Sequence, residues 1–154
     1  MELAFEFTLL GAALLALVLG ARTLIRFMPE NRPYRLGLIL AIAATFLTFW
    51  VNGAVGIIGS ENNEANMMYV AIILIALVGS ALSRFQPAGM ARVGMVNAIG
   101  MVVIAVLALV FDVGVTGPVW PLDVVWITAF FAGLWAGSTW FFRQADALQK
   151  EGSN

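Results

Sequence analysis

Five stretches of this chain are apolar runs of about the length that crosses a bilayer, and they constrain the fold more than any motif does. The runs cover residues 5–24, 35–58, 66–83, 90–111 and 122–142. About 20 such residues, wound as an α-helix, traverse roughly 30 Å of hydrocarbon. Composition agrees: 62% of residues are hydrophobic and 11% charged, against about 25% charged in a soluble domain. Such a chain cannot cover a water-facing surface, so lipid must cover much of it.

The connections are short and carry helix breakers. Pro29, Asn31 and Pro33 mark the first, Gly59 to Asn66 form the second, Gln86, Pro87 and Gly89 the third, and Gly114, Gly117, Pro118 and Pro121 the fourth. Short loops force sequential helices to run antiparallel. The expected fold is therefore all-α: an integral membrane, up-and-down bundle of five transmembrane helices forming a single domain over 1–143. The polar tail, 144–154, is expected to fray. Glu2 and Glu6 stand where a signal peptide needs basic residues, so the first run reads as a retained helix.

Basic residues orient the bundle. With five spans, Arg22, Arg26, Arg32, Arg35, Arg84, Arg92, Arg143 and Lys150 all fall on one side. Glu2, Glu6, Glu61, Glu64, Asp112 and Asp123 fall on the other. The N-terminus is then outside and the C-terminus cytoplasmic. Tyr69, Trp120 and Trp126 are expected at the outer interface, and Tyr34, Phe85, Trp140, Phe141 and Phe142 at the inner one.

No Asp, Glu, Lys or Arg lies near the middle of a run, and the chain has neither His nor Cys. A proton relay or coupled carrier is usually marked by a buried ionisable group. Without thiolate or imidazole, the commonest ligands for metal and haem are missing, and no cofactor is expected. Net charge is −1 with no clustered basic face, which gives no footprint for nucleic acid. Met67, Met68, Met90, Met95 and Met101 read as flexible core filling rather than soft-metal ligands.

What remains is a seam of small and polar residues in the second run. Gly37, Ala41, Thr45, Thr48, Asn52, Gly56 and Gly59 follow spacings of 4, 4, 3, 4, 4 and 3. On a helix they fall within about 60° either side of Asn52. One reading is close helix packing, which small residues permit in lipid. The other is a solute or ion path, with the helix opened near Asn52–Gly53 as in discontinuous transporter helices. Asn97 is the other central amide, and a pairing with Asn52 across the bundle fits both readings. Shorter rows, Ala12–Ala16–Gly20, Ala76–Ser80 and Ala129–Gly133–Gly137, predict a packed face on most other helices.

The most polar stretch is the loop Ser60, Glu61, Asn62, Asn63, Glu64, Ala65 and Asn66. Gly59 suits a helix end, and Asn62 or Asn63 a helix start. Glu61, Asn62, Asn63, Glu64 and Asn66 also form a candidate outer-loop binding set, since carboxylates and amide oxygens suit a hard cation or a partner.

The stretch W-V-N-G-A-V-G-I-I-G-S-E-N-N-E-A-N-M-M-Y, Trp50 to Tyr69, resembles a family of small bacterial inner-membrane proteins of unassigned function. The downstream S-R-F-Q-P-A-G-M-A-R, Ser83 to Arg92, resembles the same group. The likeness is best over the second to fourth runs. It implies a bacterial cytoplasmic membrane and supplies no activity and no catalytic residues.

Two classes of function stay open. One is a non-catalytic bundle whose partners are the bilayer and either copies of itself or a larger membrane complex in which it is an accessory subunit. The other is a channel or facilitator using the Asn52 seam and the acidic loop. An enzyme is not expected, because general acid–base work needs a positioned titratable group.

Overall fold

The computed structural model describes residues 11, 15, 18–20, 22, 31–59, 62–114 and 119–153. They fall into two units, Met1–Asn31 and Arg32–Asn154. In the first, residues 11, 15, 18–20 and 22 are helical. Most of the first run lies outside the described residues, including Glu6, Ala12 and Ala16, as do Glu2, Arg26 and Pro29 beyond its ends. Ser60, Glu61, Gly117, Pro118 and Asn154 lie outside them too.

The second unit is all-α, with no strand among the described residues. Four helices, the second taken together with the 3-10 turn before it as Glu64–Leu82, are long and apolar enough to cross a membrane. They are α1 (Arg32–Ala54), α2 (Met68–Leu82), α3 (Pro87–Val110) and α4 (Leu122–Glu151), matching the second to fifth runs. A 3-10 turn, Glu64–Met67, leads into α2. Proline places two of the starts. Pro33 sits in the first turn of α1, and Pro87 opens α3 behind an extended Gln86, where a missing N–H costs nothing and φ is preset.

Each helix packs on its sequence neighbours, and α1 closes the ring on α4. The close approaches show that neighbours are antiparallel. Gly37 lies on Phe142 and Gly137 on Leu40, while Gly79 lies on Val93 and Gly100 on Ile72. Trp135, Tyr69, Phe131, Phe142, Ile72 and Met101 fill the interior. Outward faces are apolar as well, with Phe49, Leu77, Val106 and Phe130 exposed.

Several expectations change. The helix expected to reach residue 58 stops at Ala54. The tail expected to fray is helical to Glu151, where Ala145 is buried and Asp146 pairs with Lys150 one turn on. Tyr34, Tyr69 and Phe142, expected as interface aromatics, have their side chains buried in the protein core. The Tyr34 hydroxyl donates to the Phe85 carbonyl at 2.6 Å, fastening the left-handed turn Arg84–Phe85. Trp126, 72% exposed, and Trp140, 57% exposed, do face outward.

Candidate functional site

The seam begins as a helix contact. At Gly37 an added Cβ would stand 3.1 Å from the Phe142 ring, and the Ser138 hydroxyl donates to the Gly37 carbonyl at 2.8 Å. Glycine therefore lets α1 and α4 approach, and the hydroxyl joins them. Ala41 is buried beyond it. Thr45 and Thr48 then turn their hydroxyls back onto α1 itself, donating to the Ala41 and Ala44 carbonyls at 2.8 and 2.7 Å. The buried stripe runs through Tyr34, Gly37, Leu38, Ala41, Ala44 and Thr48. Thr45 and Asn52 lie at its margin, half-buried.

Gly56 and Gly59 leave the seam altogether. Both follow the end of α1 and have left-handed backbones, with φ of 70° and 71°. An added Cβ at Gly59 would also stand 3.1 Å from the Gly114 carbonyl oxygen. These glycines shape a turn rather than a helix face. The helix ends early because Asn66 replaces its hydrogen bonds. Asn66 Oδ1 accepts from the Ile57 and Ile58 amides at 3.0 and 2.8 Å. Those donors would otherwise bond carbonyls one turn back in α1.

Asn66 is buried and holds together the loop that follows α1. Its carbonyl accepts from Asn52 Nδ2 at 3.1 Å, and its own amide N–H donates to the Asn63 carbonyl at 3.0 Å. Asn63 caps the 3-10 turn by accepting from the Ala65 N–H at 3.0 Å, and its side-chain NH₂ donates to the Val113 carbonyl. The expected cap at Asn62 or Asn63 is thus Asn63. Of the candidate binding set, Asn63 and Asn66 are engaged in folding the loop, Asn62 and Glu64 are exposed, and Glu61 lies outside the described residues. No cluster of three or more acidic side chains suited to a metal occurs among the described residues.

The pairing of Asn52 with Asn97 does not form. Asn52 sits two residues from the end of α1, bonded to the loop, whereas Asn97 lies ten residues into α3. The two helices are not ring neighbours. Asn97 is 0% exposed, and neither of its amide atoms has a hydrogen-bond partner among the described residues. Asn52 Oδ1, Trp135 Nε1, Tyr69 Oη and Thr128 Oγ1 are buried in the same condition. Tyr69 and Thr128 stand close without closing a bond.

Sequence reasoning singled out Asn52 and Asn97, set Tyr69 at an interface, and missed Thr128 and Trp135. Nothing local in the sequence marks the depth of Tyr69 or Trp135. It also missed Gly94, where an added Cβ would stand 2.5 Å from Thr139 Oγ1 and 3.3 Å from the Trp135 carbonyl. The row Ala129–Gly133–Gly137 divides: Gly137 packs against Leu40, while Ala129 and Gly133 are exposed, with nothing within 4 Å of a Cβ at Gly133. Comparison with protein-family models, with curated proteins and with solved structures finds no match.

Proposed function

We propose that this protein is a non-catalytic, multi-pass membrane bundle that acts by association, with copies of itself or as an accessory subunit of a larger membrane assembly. The observation that carries the reading is how the seam spends its polar groups. Thr45, Thr48 and Asn52 all donate to the chain's own backbone. A hydroxyl bonded to its own helix offers little to a passing solute, and a path needs groups left facing a lumen. The open Ala129–Gly133 face of α4 suits contact with another helix, since small residues let backbones approach in lipid.

The wider topology belongs to the same proposal. The first run adds a fifth span, and the basic end, with Arg32, Arg35, Arg84, Arg92, Arg143 and Lys150, faces the cytoplasm. The resemblance of residues 50–69 supports a bacterial inner membrane. A reporter fused after Asn154 should read cytoplasmic and one in the Glu61–Glu64 loop periplasmic. The same location for both would reject the topology.

The functional test is made on the full chain purified in mild detergent and reconstituted in liposomes. The expected result is a defined oligomer or a co-purifying membrane complex, with solute flux no higher than in protein-free vesicles. A reproducible flux abolished by Asn52→Ala would favour the channel reading and overturn this one.

A further inference from the structure

At the basic end of the bundle a groove of about 500 Å³ opens between the first turns of α3 and the last turns of α4. Arg92, Met95 and Val96 line it from α3, and Arg143, Asp146 and Lys150 from α4. Its charges do not cancel. Lys150 is bridged to Asp146 at 2.7 Å. Arg143 touches the Met95 sulfur at 3.9 Å, a weak acceptor for a guanidinium. Neither Arg92 nor Arg143 has a carboxylate partner among the described residues. Three cations and one carboxylate leave the groove at +2 (3 − 1).

From Val96 at its inner edge, an exposed apolar row of α3 runs on beyond the groove's own lining. Arg92, Val96, Ile99 and Val103 share one exposed face of α3, at spacings of 4, 3 and 4. That lane is about 16 Å long at the helical rise, close to the depth of one leaflet of hydrocarbon. A guanidinium pair suits a phosphate, which it can grip through two parallel hydrogen bonds. An apolar lane running from that pair into the bilayer suits an acyl chain and gives a soluble anion nothing. Basic pockets between membrane helices are a recurrent way of holding anionic headgroups.

We propose that this groove binds the phosphodiester headgroup of an anionic membrane lipid, with Arg92 and Arg143 on the phosphate and an acyl chain along Val96, Ile99 and Val103. The proposal goes beyond the associative role and does not depend on it.

The test uses the full chain in detergent, with dioleoyl-phosphatidylglycerol or dioleoyl-phosphatidylcholine added. Retained lipid is read by native mass spectrometry and protection by thermal unfolding. Phosphatidylglycerol should be retained and raise the unfolding midpoint, and phosphatidylcholine should do neither. Arg92→Gln with Arg143→Gln should weaken phosphatidylglycerol binding about thirtyfold, from the attraction each basic group adds near an anionic headgroup. Arg32→Gln with Arg84→Gln removes the same charge from the same end outside the groove and should leave most of the binding. Inorganic phosphate at millimolar concentration should not protect.

Equal binding of the two lipids would overturn the proposal. So would an equal loss in the control pair, which reduces the effect to general surface charge. Protection by phosphate matching that by the lipid would replace the lipid with a free anion. If the double glutamine variant does not fold, Arg92→Lys with Arg143→Lys keeps the charge and loses the planar fork. That pair should still weaken binding severalfold, and unchanged binding would reject the phosphate grip.

Discussion

Replacing Asn97 by Leu should stabilise this protein, contrary to the usual effect of altering a fully buried residue. Asn97 is 0% exposed, with neither amide atom bonded among the described residues. Burying an unbonded amide costs about 1–3 kcal/mol on the scale of protein mutations. Leucine has the same branching at Cγ and no polar atom. A hydrophobic swap of similar volume costs less than about 1.5 kcal/mol in strain. The balance is a gain of about 1 kcal/mol. A bonded amide would give the opposite sign, because interhelical hydrogen bonds in membranes contribute about 0.6 kcal/mol on average and up to about 1.7. The assay is equilibrium unfolding of the full chain in mixed micelles, a denaturing detergent being titrated against a mild one and followed by tryptophan fluorescence. Stability is read from the midpoint at unchanged slope. Asn97→Ala removes the same polar atoms without adding volume and should be near neutral. The reasoning fails if both variants lose about 1 kcal/mol or more, since the amide must then have a partner, such as a water held between the helices.

Three further substitutions test the elements that shape the site. Asn66→Ala leaves the Ile57 and Ile58 amides without their acceptor; it should cost roughly 2–4 kcal/mol and speed hydrogen exchange at those amides. Gly59→Ala forces a side chain into a left-handed backbone beside the Gly114 carbonyl; it should cost about 1–2 kcal/mol in the same unfolding assay. Gly94→Ala drives a methyl against Thr139 and the Trp135 carbonyl; overpacking of about 1–3 kcal/mol should separate α3 from α4, seen as a lower midpoint and exchange at amides of both helices.

The presence of four helices was legible because apolar length is a property of composition along the chain, read without any neighbour. Their ends were legible only where the terminating chemistry is local, as at Pro87. The end of α1 is decided by Asn66, eight and nine residues past the amides it binds, and no pattern within the helix announces that. The apolar run ends at Phe142, yet α4 continues, because a helix leaving hydrocarbon needs only a face to bury and a pair to support it. Ala145 and the Asp146–Lys150 bridge supply these. The seam was half legible. Spacing found Gly37, Ala41 and Thr48, which are buried. The same spacing carried Gly56 and Gly59 onto a helix that had already stopped. The pairing of Asn52 with Asn97 failed because membership of the central helix stretch does not fix depth, nor which helices are neighbours in the ring.

Polar groups in this bundle divide by what they can join. Thr45, Thr48 and Thr139 each bond the carbonyl four residues back on their own helix. In hydrocarbon such a hydroxyl is already satisfied, so it serves as a small side chain and says nothing about a solute. Bonds between elements lie toward the two ends instead. Tyr34 to Phe85 and Ser138 to Gly37 stand at the basic end, and Asn52 to Asn66 at the other. From Gly94, beside the basic-end bonds, to Gly100, deeper in the bundle, α3 meets its neighbours through volume. A layer held by close approach has no use for an amide, yet Asn97 occupies it. Packing alone would be served by an apolar residue there. A variant at Asn97 that gains stability while the oligomer or co-purifying complex is lost would therefore assign the amide to association. One that gains stability with assembly unchanged would leave it a cost borne by the fold.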